Sequence, residues 1–388
     1  MIKITFKAFY LLYYMYVAAI TYLNLYLNEI GISATQLGFM TSISRGLAIV
    51  ILPLWGMLAD YFGATKKVLM IALLGTIAFI ISFLSTEVFL IVFIIYIFYS
   101  LVQTPIVSLT DALLLSHLKK NSKLYGKYRV WGSIGYMIGV TPFGFIIENT
   151  QTRNLFFLAA AVLFLTFISA FKLPEANRSI RVSKLSDFKI LLRNKKLFFF
   201  LVFVFFIQAP LSANFIFLPI FMAEKGGGAT LLGLAMFLGA ASELIVFQKS
   251  DFFFDNFKLK TIILISSMAF ALRWFLIAAF PIPIVLVLTQ LLHSLTFALF
   301  HVTVVNFIAI NVGEEFRATG QNLYASTLSI ATVVSSVLGG MVYDRLSGES
   351  MYMFGSIISL LAGLTYYYKL RHDQNNISGD VNSNSAST

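Results

Sequence analysis

The sequence predicts an all-α membrane protein of twelve transmembrane helices in two six-helix bundles, and three observations carry that prediction. Of its 388 residues 59% are apolar and only 12% charged, with a mean hydropathy of +0.86, whereas soluble domains hold roughly 45–50% apolar and about 25% charged residues. Apolar runs such as Leu69 to Leu84 and Phe198 to Ile207 are continuous, unlike the alternating strands of about 10 residues that build an outer-membrane barrel. At about 20 residues per span the chain has room for a dozen helices and little else. A disordered or collagen-like chain is excluded by 40 Phe, 18 Tyr and 3 Trp beside only 24 Gly and 8 Pro.

Apolar runs set against polar breaks place the helices in order. The first, 6–28, is too long for a signal-peptide core and runs into Asn28 and Glu29, so it stays in place. The next five are 35–59, 67–85, 88–115, 125–148 and 153–172, and the second six are 197–222, 229–249, 259–280, 284–311, 317–343 and 351–370. Residues 1–172 thus form an N-terminal bundle, 173–196 a basic linker, 197–371 a C-terminal bundle, and 372–388 a polar tail rich in Asn and Ser that is expected to be disordered. The linker suits two bundles that move against each other, or an interfacial segment on anionic headgroups.

The net charge of +11 would suggest nucleic acid in a soluble protein, so the placement of the 28 Lys and Arg decides its meaning. With the N-terminus inside, 22 of them fall in cytoplasmic segments, three (Arg153, Lys225, Arg345) outside, and three (Arg45, Arg129, Arg273) within helices. That asymmetry is a topology determinant with both termini cytoplasmic, and no nucleic-acid partner is expected. Zero Cys excludes disulfides, thiolate metal sites and a cysteine nucleophile. A short repeat supports the division into bundles: Gly56 to Asp60, Gly144 to Glu148 and Gly340 to Asp344 each read Gly, three apolar or aromatic residues, then an acid. The Gly allows close helix contact, and an acid beyond a helix end can cap a neighbouring helix.

Charges inside the bilayer are Arg45, Asp111, Arg129, Glu243 and Arg273, with His293 and His301 as titratable companions. Each costs several kcal/mol in hydrocarbon unless paired or hydrated, so they mark a functional cavity or ion bridges that lock helices. Asp111 and Arg129 flank a polar turn and can meet across a helical hairpin. Arg129, Ser133 and Tyr136 follow at i, i+4 and i+7, giving one face a guanidinium, a hydroxyl and a ring for a ligand. On the tenth helix Gln290, His293, Phe297, Phe300 and His301 share a stripe. Two His without a nearby acid on their own helix do not make a zinc site, so neither metal nor cofactor is expected; they suit a proton-linked role or hydrogen-bonded core positions.

The run Gly56-Met57-Leu58-Ala59-Asp60-Tyr61-Phe62-Gly63-Ala64-Thr65-Lys66-Lys67 resembles the cytoplasmic loop signature of the major facilitator superfamily. Asp111-Ala112 followed by Tyr125-Gly126-Lys127-Tyr128-Arg129-Val130-Trp131-Gly132-Ser133-Ile134-Gly135-Tyr136, and Gln290-Leu291-Leu292-His293 with Thr296, Phe297 and His301, resemble the phenylpropionate permease group and, more distantly, lactose permease. The resemblance spans nearly the whole chain and implies a twelve-helix, proton-coupled importer. It makes Asp111 and Arg129 a substrate-binding pair, Tyr136 the counterpart of a sugar-stacking aromatic, and Glu243, Arg273 and His293 counterparts of the coupling residues of lactose permease. Ser133, Arg45 and Gln290 join the expected substrate-binding set and His301 the proton-coupling set, and Gly56, Asp60, Gly63 and Lys67 are the expected conformational-switch loop. Thr296 stands where lactose permease has its proton-carrying glutamate, Gln290 replaces a lysine, and Tyr136 replaces a tryptophan.

The expected function is a symporter in the bacterial inner membrane, working as a monomer, that imports a small organic solute: an aromatic carboxylate, a nucleoside or a sugar. Three interior Arg against two interior acids leave Arg45 in surplus, which favours a carboxylate, and Glu243 is the favoured proton carrier. Export of a metabolite, siderophore or drug fits the same scaffold. An intramembrane enzyme is disfavoured by the lack of a nucleophile elbow, phosphate loop or metal-spaced His pair, and a sensor by the short tail.

Overall fold

A computed structural model describes the backbone of residues 2–118, 124–175, 191, 193–313 and 316–385. Most of the expected linker therefore lies outside the described residues, as do Lys119, Lys120 and Lys123. Every regular element described is helical: α1 (Ile2–Ile20), α2 (Leu23–Glu29), α3 (Ala34–Tyr61), α4 (Thr65–Ser82), α5 (Phe89–Gln103), α6 (Pro105–Leu118), α7 (Tyr125–Glu148) and α8 (Asn154–Ala170) come first. The second half holds α9 (Lys195–Glu224), α10 (Ala229–Gln248), α11 (Ser250–Asn256), α12 (Leu259–Ala279), α13 (Pro283–Leu288), α14 (Leu299–Asn311), α15 (Arg317–Arg345) and α16 (Gly348–Ser385). Ten of these segments, kinked ones taken whole, are long and apolar enough to cross a bilayer, and Asn154–Ala170 is a shorter apolar helix. The chain is an integral, multi-pass, all-α membrane protein.

The helices depart from the expected continuous rods where backbone chemistry requires it. The first span bends at Thr21–Tyr22 between α1 and α2, and the fourth breaks at Thr104–Pro105, because proline offers no N–H and clashes with the preceding turn. The expected tenth helix changes winding three times: α13 tightens to a 3₁₀ turn at Thr289–Leu292 and loosens to a π turn at Ser294–Ala298 before α14 resumes. A π bulge frees carbonyls and shifts side chains round the axis, and such bulges gather at functional sites. Here the Thr296 hydroxyl answers the freed carbonyls of Leu292 and His293, at 3.1 and 3.3 Å. The last helix runs on to Ser385, past the Arg371 limit that composition predicts.

Most helix contacts fall within α1–α8 or within α9–α16, the two halves, or lobes, of the chain. In the first, α7 lies against α1 so closely that Gly135 touches the Leu11 carbonyl, where a Cβ would not fit. Between the lobes the large contacts are α3 with α15 and α7 with α10. Both lie at one end of the molecule: Gly38 meets the backbone of Ser336, Gly340 that of Ala34, Gly144 that of Ala229, and Gly233 that of Val140. Asn24 reaches across at the same end to the Ile216 carbonyl, 2.9 Å. Along α3 the fully buried positions run from Ala34 to Ser44 and then stop until Ala59. The lobes are thus sealed at the end where α3 and α10 begin and part toward the other.

Candidate functional site

Between the parted lobes lies a cavity of about 540 Å³ walled by both halves. The first lobe gives Tyr14, Thr21, Arg45, Ser133 and Tyr136; the second gives Phe215, Gly239, Glu243, Gln290, His293 and Phe297. Two grooves on the outer faces of α9, α15 and α16 are lined almost wholly by apolar side chains, whereas this cavity takes Arg45, Glu243 and His293 from the ionisable residues that the sequence leaves inside the bilayer. Small solutes are held by such mostly apolar hollows with a few placed polar groups.

A second row of charged residues stands directly behind the wall. Arg273 on α12 is fully buried; it donates through Nη1 to His293 Nδ1 at 2.7 Å and to Thr296 Oγ1 at 3.1 Å, and through Nη2 to Gln290 Oε1 at 2.5 Å. His293 Nε2 lies 2.9 Å from Glu243 Oε1. A guanidinium can only donate, so Nδ1 of His293 is the acceptor and its proton sits on Nε2, pointing at the Glu243 carboxylate. The imidazole is thereby held neutral and oriented between a fixed cation and an acid at the cavity wall. The acid that the tenth helix lacks comes from α10, opposite it.

In the first lobe the expected meeting of Asp111 and Arg129 does not take the form of an ion pair. Asp111 instead accepts from Tyr10 Oη at 2.5 Å. Arg129 donates to Tyr14 Oη and its guanidinium lies 4.3 Å from the centre of the Tyr14 ring and 5.7 Å from that of Tyr10. Tyr125 interacts with both charged groups. The reason is space: α1 packs into the angle between α6 and α7, and its tyrosines occupy the gap that a direct bridge would need. Tyr14 then joins the cavity wall to Arg129 behind it, as His293 joins it to Arg273. Tyr136 shares a 3.2 Å hydroxyl contact with Thr21, and Ser133 lines the cavity one turn away.

Arg45 is exposed on the cavity wall and makes no ion pair among the described residues. His301 is not in the wall. It contacts Tyr324 Oη at 3.1 Å and stacks on Phe297, which stacks on His293 at 5.3 Å, so His293, Phe297 and His301 of the expected stripe form a column running away from the cavity, while Phe300 packs on Phe203 and Phe270.

The comparisons with known proteins agree with this architecture. The description "MFS_1 like family" belongs to a family model that matches residues 3–354. The chain is a member of that family. Among its relatives are the maltose permease of Geobacillus stearothermophilus, 25% identical over 366 residues that cover 93% of each chain, and the "Probable 3-phenylpropionic acid transporter" of Escherichia coli (strain K12), 27% identical over 269 residues, 68% of this chain and 70% of that one. The crystal structure of nucleoside transporter NupG has the same fold, with a TM-score of 0.83 at 17% identity over 94% of this chain and 98% of that one. This MFS_1-like protein is thus a membrane transporter, of permease kin, rather than an enzyme.

The loop signature of this MFS_1-like protein lies at the unsealed end. Gly63 turns the chain after α3 with φ +55°, the left-handed conformation that glycine adopts without strain. Asp60 and Lys67 are exposed and Gly56 faces open space. Sequence reasoning missed the tyrosines of α1, of α2 and of the bend between them. Tyr13 accepts from Gln103 at 2.8 Å, Tyr16 meets Tyr99 Oη at 2.7 Å, and Tyr22 donates to the Val140 carbonyl. Their signal is the crowding of six tyrosines at positions 10, 13, 14, 16, 22 and 26, which a search for charged groups passes over.

Proposed function

We propose that this protein is a proton-coupled symporter of twelve spans that imports a small organic solute by alternating access. In this reading it is a monomer in a bacterial inner membrane, with both termini cytoplasmic and no nucleic-acid partner, and its solute is an aromatic carboxylate, a nucleoside or a sugar. The observation that carries it is a cavity walled by both lobes, sealed at one end, with Glu243 on its wall wired through His293 to Arg273. Relatives that are permeases of maltose and nucleosides support a polar organic solute.

Substrate-binding falls to Arg45, Ser133, Tyr136 and Gln290 at the wall, with Arg129 setting the hydroxyl of Tyr14 and Asp111 holding that of Tyr10 beside it. Arg45, unneutralised in the cavity, favours an anionic group on the solute, and the rings of Tyr136, Phe215 and Phe297 offer surfaces for an apolar or aromatic body. Proton coupling falls to Glu243, His293 and Arg273, with His301 behind them. A proton arriving from the cavity goes to Glu243, because His293 accepts from Arg273 and has no free lone pair. Neutralising Glu243 leaves Arg273 uncompensated, and a solute carboxylate can restore the balance, which ties proton to substrate. Gly56, Asp60, Gly63 and Lys67 form the conformational-switch loop of the unsealed end.

Uptake of radiolabelled phenylpropionate, nucleosides and sugars into energised vesicles of known orientation tests this. Accumulation driven by an outside-acid gradient, lost in Arg129→Ala, is the expected result. A Glu243→Gln variant whose uptake still tracked the imposed gradient would reject Glu243 as the proton carrier, and proton exchange in the opposite sense would make the protein an exporter.

A further inference from the structure

The sealed end is closed by two seams of the same construction. At the first, Asp344, the last acid of α15, accepts from the backbone amides of Ala34 at 3.1 Å and Thr35 at 2.7 Å, the opening residues of α3. Gly340, one turn earlier, lies against the Ala34 carbonyl. At the second, Glu148, the last residue of α7, accepts from the amide of Thr230 at 2.7 Å in the first turn of α10, and Gly144 one turn earlier lies against the Ala229 carbonyl. The two acids cross between lobes in opposite directions, so each lobe completes a helix of the other.

Both helix starts need this help. The first four amides of a helix have no partner within it and carry partial positive charge. The N-cap of α3, Ser33, accepts from Gln36 at 3.3 Å and so leaves Ala34 and Thr35 to another acceptor. The N-cap of α10 is Gly228, which has no side chain to offer. The glycines allow the backbones to come near enough for a short carboxylate to reach. Separation of the lobes at this end must break both sets of bonds in one step.

We infer that Glu148 and Asp344 are the paired latches of the outer gate, exchanged between lobes and released together when the cavity opens outward. This rests on the alternating-access reading. Charge-assisted hydrogen bonds to helix amides are strong enough that losing one latch shifts the closed-to-open ratio by about tenfold. Because one rigid movement breaks both, losing both shifts it by about a hundredfold.

The chain has no native cysteine, so single reporters can be placed at each seam: Thr141→Cys on α7 and Val337→Cys on α15, labelled from outside by a membrane-impermeant maleimide in right-side-out vesicles. Asp344→Ala is expected to raise the labelling rate at position 141, in the far seam, by about tenfold. Glu148→Ala should do the same at position 337, and the pair should multiply. Effects confined to the mutated seam, or a double variant no faster than the better single, overturn the proposal and reduce both acids to local caps. If an Ala variant does not reach the membrane, Asp344→Asn and Glu148→Gln keep an acceptor oxygen while losing the charge. They should still speed the far seam severalfold, and an unchanged rate counts equally against the latches. Seams that open together in a protein that moves no solute would overturn the carrier reading and leave the latches standing, whereas uptake with uncoupled seams would overturn the latches alone.

Discussion

The line Glu243–His293–Arg273 makes a quantitative prediction about charge balance. With 2.7 Å from Nη1 to Nδ1 and 2.9 Å from Nε2 to Oε1, the guanidinium and the carboxylate stand roughly 7–8 Å apart across one imidazole, an attraction of about 2 kcal/mol at an effective dielectric constant near 20. Substituting either charge alone leaves the other without its compensation inside a membrane bundle. Glu243→Gln keeps an acceptor for His293 Nε2–H and removes only the negative charge. Arg273→Met keeps an unbranched but shorter apolar side chain and removes the positive charge with its three hydrogen bonds, so it should be the costlier single change, at about 3–5 kcal/mol. The double variant should be less destabilised than the two singles together by about 2 kcal/mol, the coupling read from a double-mutant cycle. Equilibrium unfolding in mixed micelles supplies the four free energies. A coupling below about 0.5 kcal/mol would mean that the two groups do not sense each other through His293, and the neutral-relay description would then fail.

Other consequences follow from single contacts. Tyr10→Phe removes the hydroxyl that Asp111 accepts at 2.5 Å and should cost about 1–3 kcal/mol in the same unfolding measurement, as the price of a partly buried acceptor left short; an unchanged midpoint would show that Tyr125 or water replaces it. Gly135→Ala places a methyl against the Leu11 carbonyl and should destabilise the first lobe by about 1–3 kcal/mol, while Gly126→Ala, which meets nothing within 4 Å, should not. At the sealed end Lys225 Nζ lies 2.5 Å from Glu349 Oε1. The hydrogen bond that Lys225 donates to Glu349 raises the ammonium above its ordinary range. Burial pushes the Glu349 carboxyl up, but Lys225 and neighbouring donors hold it below its ordinary range on balance. The carboxylate contribution is therefore present above the ordinary glutamate value and lost on acidification, and the ammonium contribution is present below the ordinary lysine value and lost on alkalinisation. For so exposed a pair the gain is about 0.5 kcal/mol, and Glu349→Gln should remove that pH dependence from the thermal midpoint.

Much of this architecture is legible in the residues because a bilayer leaves few choices. Continuous apolar runs must be helices, and a charge such as Arg273 inside one must find partners. The Gly-to-acid repeat was legible as well: Gly144 with Glu148 and Gly340 with Asp344 do pack closely and do cap a neighbour. What stayed hidden depends on which helix fills a gap. The spacing of Asp111 and Arg129 permits a bridge, yet nothing local says that Tyr10 and Tyr14 of a distant segment stand between them. The winding changes at Thr289–Leu292 and Ser294–Ala298 have no proline or glycine to announce them; with them Gln290, His293 and Thr296 converge on Arg273, which comes from another helix. The bend at Thr104–Pro105, by contrast, could have been read from the proline itself.

The swapped acids also order events in the making of the molecule. Thr230 follows its partner Glu148 by 82 residues, but Ala34 must wait for Asp344, 310 residues further on. A ribosome therefore delivers the start of α3 into the membrane long before the group that finishes it. The earliest rim of the protein is completed only when nearly the last helix has been inserted.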